Sequence, residues 1–179
     1  MKKIVEAALL TLLFISSVQA GDQVLKYRED GTFKIVQFAD MHWQKRDAND
    51  IKTCKLMEEI LDIEKPDMVV LTGDNISGSG CDDCKKSILA YSQPMVDRKL
   101  LWAAVFGNHD DEGAMNKKDQ MKLLQTIPFC LAKAGPEDID GVSNYYLNVY
   151  DSKGGKEAKN TLYFIDSLSY APKEIDGYA

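Results

Sequence analysis

Three short polar motifs stand at equal distances along this chain, and each follows an apolar, β-rich run. Asp40-Met41-His42 follows residues 33–39, Gly73-Asp74-Asn75 follows residues 68–71, and Gly107-Asn108-His109-Asp110 follows residues 100–106. Asp40, Asp74 and Asn108 recur at intervals of 34 residues. That interval holds one strand, one helix and their loops. Alternating β and α elements build a mainly parallel sheet with right-handed crossovers. The three motifs then emerge at the C-terminal ends of neighbouring strands, the edge at which open α/β sheets bind ligands.

The intervening segments agree with this order. Ile51, Leu56, Ile60 and Ile63 have a loosely helical spacing over residues 51–63, and Pro66 marks the end of that helix. Residues 68–71 are wholly apolar, as in a strand buried on both faces. Helices are expected over residues 85–96 and 116–125. Residues 144–150 and 161–165 read as a hairpin around Gly154-Gly155. Tyr145, Tyr146, Tyr163 and Phe164 fall on that hairpin at strand spacing, which favours sheet packing over a ligand-stacking surface.

Composition narrows the class. The chain has 179 residues, 45% hydrophobic and 28% charged, which suits one globular domain and not a disordered segment. Its net charge is -6 and its lysines and arginines form no cluster, so it lacks the electrostatic footprint of a nucleic-acid binder. Residues 1–20 read as a signal peptide. Lys2 and Lys3 open it, a mostly apolar run follows over residues 4–15, and Val18-Gln19-Ala20 offers a cleavage site. Secretion or delivery to the endomembrane lumen is expected, with no stable membrane insertion after cleavage. That setting permits disulfides. For Cys81-Asp82-Asp83-Cys84 the expectation is a small surface disulfide or two free thiols, not a zinc knuckle or a redox motif opening a helix straight after a strand. Asn75-Ile76-Ser77 matches a glycosylation sequon but abuts Asp74, where a glycan would crowd the site.

The motifs offer two carboxylates, a carboxamide and two imidazoles, and both histidines of the chain lie within them. Carboxylate and carbonyl oxygens take hard cations, and imidazole suits iron, zinc or manganese. Taken singly, an aspartate after a strand is also a turn or helix cap. The ordered set, each member at a strand end, points to metal binding.

Asp-x-His, then Gly-Asp, then Gly-Asn-His-Asp resembles the calcineurin-like metallophosphoesterases. The stretches FKIVQFADMHW, EKPDMVVLTGDNI, WAAVFGNHDDE and GVSNYYLNVY are similar to the purple-acid-phosphatase-like subgroup of plants and fungi. The resemblance covers residues 32–179 and implies an α/β fold of two packed sheets between helices, an αββα sandwich, of which the first half to two-thirds is represented. It implies a dinuclear centre of two divalent or trivalent ions, drawn from Fe, Zn, Mn or Mg. Asp40 and His42 would hold the first ion, Asp74 would bridge, and Asn108 would hold the second. His109 would act on the substrate as general acid or charge stabiliser, and Asp110 would orient its ring. The implied reaction is hydrolysis of a phosphate ester, on a small molecule or a phosphoprotein, by a metal-bound hydroxide.

Two departures from the family pattern carry expectations of their own. True purple acid phosphatases carry a tyrosine ligand three residues after the bridging aspartate, where this chain has Ser77. The tyrosinate colour should therefore be absent. The family completes its site with a further histidine and a Gly-His-x-His motif, and no histidine follows His109 here. The alternative expectation is accordingly a truncated, non-catalytic product of such a gene.

Overall fold

The computed structural model describes residues 23–77 and 80–170. The expected signal peptide lies outside the described residues. The element order is β1 (Leu25–Lys26), β2 (Ile35–Phe38), α1 (Ala48–Glu64), β3 (Met68–Leu71), α2 (Cys84–Asp97), β4 (Trp102–Ala104), α3 (Lys117–Leu124), β5 (Tyr145–Tyr150) and β6 (Ala158–Phe164). The alternation of strand and helix over the first two-thirds is the one expected. β1 has no counterpart in the sequence reading, because two residues cannot display a period.

β2, β3 and β4 form a parallel sheet in that order, with β3 central and buried along its whole length. The register pairs Phe38 with Leu71, and Leu71 with Ala104. All three strands therefore end at one level, and the three motif loops leave from the same edge. Beyond β4, Trp102 donates to the Phe129 carbonyl and Leu131 donates to the Trp102 carbonyl. Residues 129–131 thus continue the sheet by a parallel bridge at Cys130.

α1 starts three residues earlier than its apolar pattern implied. Asp47 caps it, accepting from the N–H groups of Asn49 and Asp50, while the Asp50 carboxylate reaches back to the N–H of Asp47. This reciprocal capping box satisfies otherwise unpaired donors of the first turn. The helix ends at Lys65, which is left-handed and precedes Pro66. Its buried stripe is Asp50, Met57 and Leu61, while Ile51, Leu56 and Ile63 are exposed. The apolar residues that announced the helix thus lie mostly off its packed face. α2 buries Cys84, Ile88, Tyr91 and Met95 on one stripe and packs between α1 and α3.

The second sheet has the order β1-β5-β6, with β1 parallel to β5 and β5 antiparallel to β6. Side chains alternate along β5, so Tyr145, Leu147 and Val149 face the core. Tyr145 stacks on Phe164 at 4.5 Å, and its hydroxyl donates to the Ala104 carbonyl, tying this sheet to β4. The hairpin aromatics divide accordingly. Tyr145 and Phe164 are core, whereas Tyr146 and Tyr163 are 57% and 75% exposed on the outer face.

The four cysteines are free thiols. Of the two expectations for the Cys81–Cys84 pair, free thiols and not a disulfide are what the structure has, but the pair is buried and not superficial. Cys84 is the first residue of α2, which does not follow a strand directly. Asp83 caps that helix and the sulfurs turn inward. Burial pushes the Cys81 thiol up to about 12, so it is not a reactive thiolate.

Candidate metal centre

The loops after β2 and β3 zip together past the strand ends. Asp40 donates to the Gly73 carbonyl at 3.2 Å, His42 to the Asp74 carbonyl at 2.9 Å, and Trp43 to the Asn75 carbonyl at 3.0 Å. Asp40, His42 and Asp74 all adopt left-handed backbone conformations, with φ of 52°, 44° and 49°. Such angles are uncommon for residues with a side chain and concentrate at functional sites. In this geometry the ligand atoms of Asp40, His42 and Asp74 all lie within 4.8 Å of one another. Two carboxylates and an imidazole at that separation fit a divalent cation of the iron, zinc or manganese type.

Glycine is obligatory where the second and third loops meet. Gly73 has φ of 109°, and a Cβ there would stand 2.8 Å from the Gly107 nitrogen. A Cβ on Gly107 would overlap Asp74 Oδ1 and lie 2.5 Å from the Asp74 nitrogen. The close approach lets the His109 N–H donate to Asp74 Oδ1 at 2.9 Å. Asn108 belongs to the same loop and is half-buried.

Behind the cluster lie two carboxylates that organise backbone. Asp50 accepts from the N–H groups of Gln44 and Arg46 as well as Asp47, which fixes the chain following His42. Asp110 is fully buried and accepts from Asn75 at 2.9 Å, Ile76 at 3.0 Å and Gly107 at 2.7 Å. Burial raises its carboxyl to about 6, although the three N–H groups pull the other way. Asp110 thus clasps the second loop to the third.

This geometry corrects the role expected of Asp110. The ring of His109 is oriented by Glu112, whose Oε1 lies 2.8 Å from Nδ1. The backbone explains why: Asp110 points into the core toward three amides, while Glu112, three residues after His109, shares its exposed turn. The hydrogen bond to Glu112 raises the imidazole above its ordinary value. The His109 ring meets the His42 ring edge-on at 5.2 Å, and its Nε2 lies 3.2 Å from the Tyr170 hydroxyl. Tyr170 carried no signal in the sequence. Glu112 carried only its spacing from His109, which is compatible with contact across one turn.

Asn75 is 1% exposed, and its amide nitrogen donates to the Val105 carbonyl at 3.0 Å, so the folded chain offers no room for a glycan at the sequon. Ser77, at the position of the tyrosine ligand in true purple acid phosphatases, donates its N–H to the Trp43 carbonyl. Among the described residues no helix is long and apolar enough to cross a membrane.

Comparison with known proteins agrees with this geometry. The sequence profile of the family described as calcineurin-like phosphoesterase matches residues 33–175. "Phosphatase DCR2" of Saccharomyces cerevisiae is 36% identical over 93% of this chain and 32% of its own length. "Probable inactive purple acid phosphatase 28" of Arabidopsis thaliana is 36% identical over 80% of this chain and 43% of its own. "Probable inactive purple acid phosphatase 29" from the same plant is 34% identical, over 94% and 50%. The chain therefore spans about a third to a half of the length of these relatives. A profile match over most of the chain, on a parallel sheet whose strand ends bring Asp40, His42 and Asp74 together, makes this chain a member of the calcineurin-like phosphoesterase family.

Proposed function

We propose that this chain forms the metal-holding part of a site that hydrolyses phosphate esters, on small molecules or on a phosphoprotein. The observation that carries the reading is the convergence of Asp40, His42 and Asp74 within 4.8 Å. Asp40, His42 and Asp74 would hold the first ion, and Asp74 with Asn108 the second. Such ions supply Lewis-acid polarisation of the phosphoryl oxygens and a more acidic water. The chain's own contribution is positional. The close approach of Gly107 to Asp74 would keep the Asp74 carboxylate beside the third loop. His109, beside His42, would in its doubly protonated form give the Nε2 proton to the departing oxygen, with Glu112 bound to the opposite ring nitrogen. Residues 1–20 would direct the chain to the secretory pathway.

A specific observation favours a second reading, in which the chain binds metal without turnover. Two plant relatives of this chain bear the name probable inactive purple acid phosphatase. Calorimetric titration with Mn²⁺ or Zn²⁺, followed by release of nitrophenol from an aryl phosphate, separates the readings. Ion binding lost in Asp74→Asn together with metal-dependent hydrolysis supports the enzyme. Binding without hydrolysis supports the second reading. No ion binding overturns both.

A further inference from the structure

We infer that Glu112 and Tyr170 are positioning residues that hold the neutral His109 ring as its Nδ1–H tautomer and leave Nε2 as the reactive nitrogen. The two ring nitrogens have different partners: Glu112 Oε1 at 2.8 Å from Nδ1, and the Tyr170 hydroxyl at 3.2 Å from Nε2. An ionised carboxylate has no proton to give, so Nδ1 must be the donor in the first contact. The neutral ring then carries its lone pair on Nε2, and a tyrosine hydroxyl is a donor suited to it. The Glu112 contact selects this tautomer, and the Tyr170 hydroxyl fits it by donating to Nε2. Moving the ring proton to Nε2 would set the Nδ1 lone pair against a carboxylate, while the Tyr170 hydroxyl would turn from donor to acceptor.

The two partners arrive from separate parts of the fold. Glu112 belongs to the bend that follows the third motif. Tyr170 comes from the segment after β6, which is anchored at a distance from the ring. There Lys117 Nζ donates to Asp166 Oδ1 at 3.0 Å and to the Leu168 carbonyl at 2.9 Å, while the Leu168 N–H donates to Asp166. The Tyr170 ring meets the His109 ring edge-on at 5.8 Å, and Tyr170 is 60% exposed. Its hydroxyl can therefore yield Nε2 to an incoming oxygen, while Glu112 keeps the ring in register. The inference rests on the reading of His109 as the group that faces substrate, but the tautomer is a property of the chain itself.

The test is long-range ¹H–¹⁵N correlation spectroscopy of the full chain with chelator present, at alkaline pH where the rings are neutral. The chain has two histidines, so a His42→Asn variant assigns both sets of resonances. The wild type should show a protonated Nδ1 and an unprotonated Nε2 on His109. Glu112→Ala should move the proton to Nε2. Glu112→Gln, whose amide oxygen also accepts, should restore the wild-type pattern. Tyr170→Phe should keep the tautomer and shift Nε2 downfield as its hydrogen bond is lost. A wild-type ring protonated on Nε2, or an unchanged pattern in Glu112→Ala, overturns the inference. An unmoved Nε2 resonance in Tyr170→Phe removes Tyr170 from it. None of these readings needs catalysis, so a chain that fails to hydrolyse phosphate esters can still keep this tautomer, and an active chain can still lack it.

Discussion

The Cα of Gly107 and the carboxylate of Asp74 occupy the same corner of the candidate centre, so closely that a Cβ on Gly107 would overlap Asp74 Oδ1. The contact joins the second motif to the third and leaves no slack between them. Gly107→Ala should push the Asp74 carboxylate away from Asp40 and His42. Overpacking of this kind costs about 1–3 kcal/mol of stability. Calorimetry with Mn²⁺ should show a markedly weaker or absent ion in Gly107→Ala, while thermal melting shows the chain still folded. Unchanged affinity would mean that the loop contact does not position the ligand.

Asp110 tests the difference between a clasp and a ring orienter. Its two oxygens accept three backbone N–H groups with no exposure to solvent. In Asp110→Asn one of those oxygens becomes an NH₂ group facing a donor. Losing hydrogen bonds to a buried charged acceptor should cost about 2–4 kcal/mol in denaturant unfolding. The tautomer of His109 should stay as in the wild type, because its partner is Glu112. A stable Asp110→Asn chain with an altered His109 ring would reverse these assignments.

How much was legible in the sequence depended on whether a residue type announces its role locally. β3 is apolar from Met68 to Leu71 and was readable to the residue, because a central strand has no polar face to confuse the pattern. The convergence of Asp40, His42 and Asp74 followed from strand–helix period alone. α1 was readable as a helix but not in its orientation, since Ile51, Leu56 and Ile63 turn to solvent and Met57 and Leu61 are packed. The roles of Asp110 and Glu112 were not separable. Both are acidic residues close after His109, and only the direction of the backbone between them decides which meets the ring. The Lys117–Asp166 pair, 49 positions apart, carries no local signal at all.

The Asn75 sequon should stay unmodified. A glycosyltransferase needs the amide nitrogen free, and here it is committed to the Val105 carbonyl in a buried site beside Asp74. Peptide mass spectrometry of the chain secreted from a glycosylation-competent host should find Asn75 bare in the folded, melting-competent fraction. A glycan on that fraction would show that the loop departs from this arrangement.

The last prediction concerns the anchor of the segment that carries Tyr170. Asp166 has a fully buried side chain and accepts from Lys117 Nζ, the N–H groups of Val142, Ser143 and Leu168, and the Ser143 hydroxyl. Burial alone would raise its carboxyl, but the Val142 N–H and the Lys117 ammonium outweigh it and hold the group below its ordinary value. The sign of the pH dependence follows. A carboxyl lower in the folded than in the unfolded chain stabilises fully above the unfolded value of about 3.9, and the contribution is lost as pH falls through the folded value. Melting temperatures should therefore be insensitive to this pair near neutrality and fall on acidification below about pH 4. Lys117→Met leaves a buried carboxylate without its cation, which costs about 3–5 kcal/mol, and raises that carboxyl so that the acid limb begins at higher pH. The double variant Lys117→Met with Asp166→Asn removes both charges, so it should recover part of the loss and lose the contribution of this group to the acid limb. Melting curves recorded between pH 7 and pH 3 decide the matter. If Lys117→Met melts with the wild type throughout that range, the ion pair does not anchor this segment.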